Sequence, residues 1–238
     1  MEISERELRR MVADSDDQHR AAMDSFTEDN RGLIFETRAS RRNFLAGLGL
    51  GTAAVVIGSA VLPVGRMVPR AWSQTAPSDG DIAAFAASVE YAAVAAYTAA
   101  AKSGKVKTKA ILDAATAFAG QHQQHGDAFK AAGSNPNVAA NKAVLEMVTP
   151  QLTAAKTEND VVALAYGLEN AAAATYIFAL GVLTTEGAYN AVASVMPVEA
   201  QHAIALGFVL GKPLDDKSFM PSFETANGAL DPAKFPAA

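Results

Sequence analysis

The segment VEAQHAIAL places a glutamate and a histidine three residues apart in a run that is otherwise mostly apolar. Residues i and i+3 lie on the same face of an α-helix, so Glu199 and His202 become neighbours if this segment is helical. A Glu-x-x-His pair on one helix face is half of a known metal-binding arrangement in helical bundles. Taken alone, the pair is equally compatible with a buried ion pair or with chance.

A repeated pattern elsewhere in the chain supplies two more carboxylates. The segments VEYAAVAAYTAA and LENAAAATYIFA each contain a glutamate followed seven residues later by a tyrosine, which gives Glu90 with Tyr97 and Glu169 with Tyr176. Seven residues are two helical turns, so each tyrosine lies on the same helix face as its glutamate. We expect both tyrosines to be core residues whose hydroxyls meet a buried polar group, in preference to a redox role.

The histidines extend the same repeat. His125 follows Glu90 by 35 residues, and His202 follows Glu169 by 33 residues. Each histidine precedes, by eight or nine residues, the glycine that ends its segment. The repeat therefore predicts two related antiparallel helix pairs that pack around a pseudo-twofold axis into a four-helix bundle.

The elements that must position these residues are helices. Beyond residue 73 the chain is rich in Ala, Leu, Val, Lys and Gln and has few strand signals. We expect Asp79 or Asp81 to cap the first helix, Asp160 to lie in the first turn of the third, and a shorter helix to fill 138–155, limited by Pro150. The four long helices are predicted at 79–103, 107–132, 158–184 and 186–210.

Six polar residues fall at matched heights near the middle of these helices. Burying a carboxylate or an imidazole costs several kcal/mol unless it is paired or bound to a metal, so six such groups on four facing helices need a common partner. A pair of divalent metal ions is the simplest one. The six predicted metal ligands are Glu90, His122, His125, Glu169, Glu199 and His202.

This arrangement resembles the ferritin-like di-metal carboxylate bundles, in particular exported bacterial ferritin-like proteins, some of the desiccation-related type. That pattern has one glutamate from each of two helices and a Glu-x-x-His pair from each of the other two. Glu90 and Glu169 match the single glutamates, and Glu199 with His202 matches one pair. The resemblance covers about residues 79–212 and implies an all-α fold with a di-iron centre, with manganese and zinc as the alternative metals.

The second pair departs from that pattern, because His122 stands where the family has glutamate. Four carboxylates and two neutral imidazoles would balance the charge of two divalent ions. Three carboxylates and three neutral imidazoles would leave the site with one more positive charge. The extra imidazole shifts the preference toward Zn²⁺, Fe²⁺ or Cu²⁺ and away from Mn²⁺. His122 is expected to be a ligand or, alternatively, a hydrogen-bonding partner of one. Asp127 points elsewhere on its helix and is not expected to substitute for the missing carboxylate.

A different motif precedes the bundle. The sequence SRRNFLAGLGLGTAAVVIGSAVLPVG resembles the twin-arginine export signal of bacteria, and Ser40, Arg41, Arg42, Phe44 and Leu45 all match its pattern. Small residues in AWS make cleavage after residue 73 plausible. A membrane anchor is the alternative, since the run is long enough to span a bilayer. The resemblance implies a periplasmic or cell-envelope location and export of an already folded chain.

The predicted domain organisation follows from these segments. Residues 1–39 are expected to be a flexible or marginally helical extension with no site of its own, and its His19 is expected to be solvated. The other segments are the signal or anchor at 40–73, the bundle at 74–212, and an irregular tail at 213–238 that Phe219, Phe223 and Phe235 pin to the bundle.

Composition excludes several classes of function. The chain has 238 residues and no cysteine, which excludes disulfides, thiolate zinc sites and thiol catalysis. A net charge of −5, with all ten arginines before residue 73, gives no reason to expect nucleic acid as a partner. Membrane contact is expected only if the signal segment stays attached. No serine triad signature or phosphate-binding glycine loop is present.

Three functions fit these observations. The first is a metalloenzyme that activates O₂ or peroxide and oxidises Fe²⁺, with metal ions as its partners. The second is an exported stress or metal-sequestering protein without turnover. The third is a structural bundle that has lost its metal. His122 in place of glutamate favours the second and third, whereas retention of the other five residues argues against the third.

Overall fold

A computed structural model describes residues 3–24, 55–57, 60–62, 77–212 and 228–237. In these ranges the chain forms six helices, and the predicted all-α helical bundle is confirmed. The helices are α1 (Glu5–Asp24), α2 (Asp79–Lys102), α3 (Lys109–Ala132), α4 (Lys142–Ala154), α5 (Glu158–Leu180) and α6 (Glu186–Val209).

The two helix pairs begin in the same way. Ser78 caps α2 and Thr157 caps α5, and each forms a capping box with the aspartate three residues later, Asp81 or Asp160. The expectation that Asp79 or Asp81 is the cap is therefore wrong, because the cap is a hydroxyl side chain. Asp79 instead accepts hydrogen bonds from the backbone N–H groups of the two residues before α6, which ties the two helix pairs together.

Small residues let the helices approach closely. Ala87, Ala92, Ala173 and Ala174 are fully buried, and α2 packs against α3 while α5 packs against α6. Two apolar clusters form the core, one around Phe118 and the other around the stacked rings of Phe129 and Tyr176. Along α3 and α6, the polar residues predicted to bind metal lie between these two clusters.

The short helix α4 covers one side of the bundle. Pro150 lies inside α4, and the helix continues to Ala154, so the proline does not limit it as expected. The buried Asn141 caps α4 and donates hydrogen bonds from Nδ2 to the backbone oxygens of Phe235 and Pro236. The described part of the tail thus packs on the bundle, whereas Phe219 and Phe223 lie outside the described residues.

The N-terminal segment contains α1, a helix of 20 residues that packs against α3 and α6. Leu8 joins the core, and Arg9 pairs with Asp113 of α3 at 2.5 Å. The expectation that His19 is solvated is wrong, since only 4% of its surface is exposed. His19 is buried because α1 packs through an apolar stripe, which places His19 in the groove between α3 and α6.

Two short strands, β1 (Val55–Ile57) and β2 (Ala60–Leu62), pair antiparallel within the segment predicted to be a signal. The matching residues of the twin-arginine motif and the predicted cleavage position lie outside the described residues. By length and composition alone, three of the described helices, α2, α5 and α6, are long and apolar enough to cross a membrane. Each of the three carries a buried glutamate near its middle.

Candidate metal centre

The structure brings all six predicted ligand residues together in the centre of the bundle. Each is at most 2% exposed. The helix α2 supplies one residue, α3 two, α5 one and α6 two. The six residues are Glu90, His122, His125, Glu169, Glu199 and His202.

Their ligand atoms form two overlapping groups that could each hold a metal ion, with all atoms of a group within 4.8 Å of one another. The first group joins Glu90 and His125 to the shared pair, and the second joins Glu169 and His202 to the same pair. The shared pair is His122 with Glu199. This geometry follows the sequence repeat, because each half contributes one glutamate and one histidine of its own.

His122 lies between the two halves. Its Nδ1 is 2.6 Å from Oε2 of Glu90, and its Nε2 is 3.1 Å from Oε1 of Glu169. Nδ1 also lies 3.6 Å from Oε2 of Glu199. The two ring nitrogens of His122 therefore face different halves of the centre. A glutamate at this position would present two carboxylate oxygens there instead.

The other two imidazoles point the same nitrogen inward. Nδ1 of His125 lies 3.0 Å from Oε1 of Glu199, and Nδ1 of His202 lies 3.3 Å from Oε2 of Glu169. The outward nitrogens have different partners, which are Nδ1 of His19 at 3.0 Å for His125 and Oε1 of Gln121 at 2.5 Å for His202. Both rings thus present Nδ1 to the ligand cluster.

The two tyrosines of the repeat hydrogen bond to the carboxylates crosswise. Tyr97 of α2 donates to Glu169 of α5, and Tyr176 of α5 donates to Glu90 of α2. The expectation that their hydroxyls meet a buried polar group is met, although each tyrosine contacts the glutamate of the other helix pair. Burial, reinforced by the neighbouring carboxylates, raises the pKa of both phenols well above the ordinary value. Both tyrosines are therefore hydrogen-bond donors at neutral pH.

Electrostatics in the metal-free centre favour ionised glutamates and protonated histidines. Burial alone would raise the pKa of Glu90, but the charge of His122 and its hydrogen bond outweigh burial and lower that pKa to about 2. Burial would lower the pKa of His125, but Glu199 and Glu90 raise it to about 9. The pKa of His122 is raised well above its usual value, against burial, by three surrounding carboxylates. Protons on the imidazoles thus provide the positive charge that metal ions would supply.

The residues present fit a divalent metal. Both carboxylate oxygens of Glu199 and Nδ1 of His125 are buried and lack a well-directed hydrogen bond to any described residue, although Oε1 of Glu199 and Nδ1 of His125 lie 3.0 Å apart. Burial of a carboxylate with incomplete hydrogen bonding is costly, and a bound metal ion would offset that cost. Oxygen and nitrogen donors of this kind suit Fe²⁺, Zn²⁺ and Mn²⁺.

A glycine permits the close approach of α2 and α3 beside the centre. A Cβ atom at Gly126 would lie 2.8 Å from the ring of Tyr91 and 3.3 Å from Cβ of Glu90. Tyr91 donates a hydrogen bond to Asp127 at 2.8 Å on the exposed side of α3. Asp127 is exposed and faces away from the six-residue cluster, as expected from its helix position.

An apolar cavity with about 50 Å³ of room for water-sized molecules lies beside the centre, on the side of α4. Alanine, valine and leucine side chains of α2, α4 and α5 line most of it, and its polar wall contains Tyr97, His122 and Glu169. The cavity therefore adjoins the half of the centre that holds Glu169.

Sequence reasoning missed two polar residues that contact the centre, Gln121 and His19. Gln121 is buried beside His122. The sequence gives no signal for it, because a neutral glutamine carries no charge that must be balanced when it is buried. His19 was set aside because its segment has mixed charge. The spacing of Leu8, Ser15 and His19 on one helix face is the signal that would have placed His19 inside.

A family model described as Ferritin-like domain matches residues 78–212, which is more than half of the chain. Neither the comparison with curated proteins nor that with solved structures gives a match. The matched range holds all six residues of the cluster and the four long helices of the bundle.

Proposed function

This chain belongs to the family of ferritin-like domains, and from that premise we propose that its bundle binds two divalent metal ions, with iron first and manganese or zinc as alternatives. The observation that carries the proposal is the pair of overlapping four-residue groups, each with its atoms within 4.8 Å. Glu199 belongs to both groups, and its buried oxygens lack a well-directed hydrogen bond among the described residues, which supports the same proposal.

Each half of the centre would hold one ion with its own carboxylate and imidazole. Glu90 and His125 would hold the first ion, and Glu169 and His202 the second. Glu199 belongs to both groups and would contribute to holding either ion. Tyr97 and Tyr176 orient the two outer carboxylates by donating hydrogen bonds to them.

We propose that this protein is an O₂- or peroxide-dependent di-metal oxidoreductase of the ferroxidase kind. A bound pair of iron or manganese ions would supply redox chemistry with O₂ or peroxide, including oxidation of Fe²⁺, whereas zinc has no redox chemistry and would not. The chain's own contribution is a water-poor centre with fixed ligands, because all six residues are at most 2% exposed. The apolar cavity that ends at His122 and Glu169 supports a reaction with a small apolar molecule such as O₂.

A second candidate function is metal sequestration or a stress role, such as a desiccation-related one, without turnover. The specific observation in its favour is His122, since imidazole replaces the carboxylate that would complete the symmetric set. A structural bundle without metal is less well supported, because six buried ionisable side chains would then be balanced only by protons on the imidazoles.

One experiment separates these candidates. The protein is purified without added metal, its metals are counted by elemental analysis, and Fe²⁺ oxidation by O₂ or peroxide is followed after loading. Two bound ions with turnover support the oxidoreductase. Bound ions without turnover support sequestration, and a protein that binds no divalent ion contradicts both.

We also propose that the chain is exported by the twin-arginine route to the periplasm or cell envelope. The support is the agreement of five residues with the export motif, namely Ser40, Arg41, Arg42, Phe44 and Leu45. This route carries folded proteins, which suits a centre whose ligands come from four separate helices.

A further inference from the structure

The helix α1 places a histidine against the outer edge of the metal centre. Nδ1 of His19 lies 3.0 Å from Nε2 of His125, and the two ring centroids are 4.9 Å apart. On its other side, the ring of His125 presents Nδ1 to Glu199 at 3.0 Å. The imidazole of His125 is therefore held between a residue of α1 and the ligand cluster.

The other half of the centre has a matching arrangement built from an amide. Oε1 of Gln121 lies 2.5 Å from Nε2 of His202 and also accepts a hydrogen bond from Ser15 of α1 at 3.2 Å. The amide nitrogen of Gln121 donates to Asp16. Through Ser15 and Asp16, the helix α1 thus holds Gln121, which is the outer partner of His202. The same helix supplies His19, which is the outer partner of His125.

These contacts come from a helix docked along its length. Ser15 and His19 meet partners in α3 that lie 106 residues further along the chain, so α1 runs parallel to α3 in constant register. Leu8 anchors the first half of α1 in the core, and Ser15 and His19 are at most 4% exposed. The position of His19 is therefore set by the packing of the whole helix.

Resting on the proposed function, we infer that α1 is part of the metal centre and that His19 is a positioning residue for His125. A neutral imidazole carries one N–H, so a histidine whose Nδ1 faces an ion must carry its proton on Nε2. His19 accepts that Nε2–H through its own Nδ1 and so fixes both the tautomer and the ring orientation of His125. Gln121 does the same for His202 with its amide oxygen.

This assignment makes the effect of His19 selective for one ion. The hydrogen bond of His19 is to His125, in the half that contains Glu90, whereas that of Gln121 is to His202, in the half that contains Glu169. Loss of a hydrogen-bond partner behind a ligand histidine lowers metal affinity about 10- to 100-fold. Loss of His19 is therefore expected to weaken one ion and leave the other unchanged.

The test compares three variants of the full chain, with residues 1–24 confirmed by intact mass. His19→Leu removes the acceptor and replaces the imidazole ring with an apolar side chain. His19→Gln restores an acceptor by copying the chemistry of Gln121. Arg10→Ala is the control on the same helix, since the side chain of Arg10 is 83% exposed and its ion pair is weak. Each protein is titrated with Co²⁺ alone against a competing chelator, and its metal-free thermal unfolding is recorded.

We expect His19→Leu to bind one of two Co²⁺ ions at least about tenfold more weakly, and His19→Gln and Arg10→Ala to bind both as the wild type does. The inference is overturned if His19→Leu binds both ions with wild-type affinity or if His19→Gln is as weak as His19→Leu. It is also overturned if both ions weaken together in step with a lower unfolding temperature, since α1 then acts by packing alone. A wild-type protein that binds no Co²⁺ is a distinct result, which contradicts the proposed function itself.

Discussion

At the scale of single residues, His122 decides what kind of centre this is. Its two nitrogens face Glu90 and Glu169, so it occupies the position between the two halves. A neutral imidazole has one lone pair for a metal, whereas a carboxylate has several on two oxygens. Two ions can therefore share Glu199 more readily than they can share His122, and we expect the second ion to bind more weakly than the first.

Substitution of His122 tests this difference. His122→Glu adds a fourth carboxylate, so we expect two iron or manganese ions of similar affinity per chain and faster O₂-dependent Fe²⁺ oxidation. His122→Ala removes a ligand, and we expect at least about tenfold weaker binding, with Glu199→Ala at least as damaging. Metal counts, affinities and oxidation rates of the three variants and the wild type provide the measurement. Unchanged stoichiometry and affinity in both His122 variants would place His122 outside the set of ligands.

The pKa values predict how the stability of the metal-free protein depends on pH. The pKa of His125 rises from 6.5 to about 9 on folding, so its contribution is complete below pH 6.5 and is lost as pH rises through about 9. The pKa of Glu90 falls from 4.5 to about 2, so its contribution is complete above pH 4.5 and is lost as pH falls through about 2. The free energy of unfolding contributed by these two groups should thus be greatest between pH 4.5 and 6.5.

Urea unfolding of chelator-treated protein across this pH range measures the effect. We expect stability to decline between pH 6.5 and 9 in the wild type, and to decline less in His125→Gln, which cannot titrate there. A wild-type stability that stays constant or rises over the same range would contradict the charge balance described for the metal-free centre.

At the scale of elements, close packing of α2 against α3 sets the positions of Glu90 and His125. Gly126 provides the space for that contact, because a side chain there would meet the ring of Tyr91 and the Cβ of Glu90. The neighbouring Gly120 lies on the same helix, and a Cβ atom there would have no described atom within 4 Å. The two glycines of α3 therefore separate a packing effect from a helix-propensity effect.

Alanine substitution of each glycine uses this contrast. Gly126→Ala should destabilise the protein by about 1–3 kcal/mol through overpacking and weaken metal binding by displacing Glu90. Gly120→Ala should be neutral or stabilise by up to about 1 kcal/mol, since alanine favours the helix. Thermal unfolding and metal affinity of both variants test the point, and equal behaviour of the two would show that the α2–α3 contact does not position the ligands.

The elements also show how far the sequence could predict the structure. Repeated patterns predicted the four long helices and their six central polar residues, because burial of charge in matched positions leaves few alternatives. Asp79 was assigned to a cap because hydrogen-bond partners distant in sequence, such as Thr184, are invisible to local rules. The helix α1 was underestimated since its composition is polar, although Leu8, Met11, Val12 and the residues that follow them on that face form a continuous stripe.

At the scale of the whole molecule, the position of α1 has a consequence for export. The helix α1 precedes the predicted signal at 40–73, and the bundle follows it. Cleavage after residue 73 would separate His19 from the bundle that it contacts. If the chain is exported and cleaved as proposed, the full-length form and the exported form should therefore differ at the half of the centre that holds His125.

Export itself is tested by changing the arginine pair. We expect Arg41→Lys combined with Arg42→Lys to block export, because the twin-arginine motif requires both arginines, whereas Arg38→Lys, outside the motif, should be exported normally. Cell fractionation with mass spectrometry of the exported chain gives the location and the cleavage position. Normal export of the double variant would remove the twin-arginine assignment.

The central claim is that six buried residues hold two metal ions, and anomalous diffraction from crystals loaded with Fe²⁺ or Co²⁺ tests it most directly. We predict two anomalous peaks inside the bundle, both in contact with Glu199. One peak should lie beside Glu90 and His125, and the other beside Glu169 and His202. Crystals soaked in excess metal that show no peak among these residues, or peaks only on the protein surface, would contradict the account.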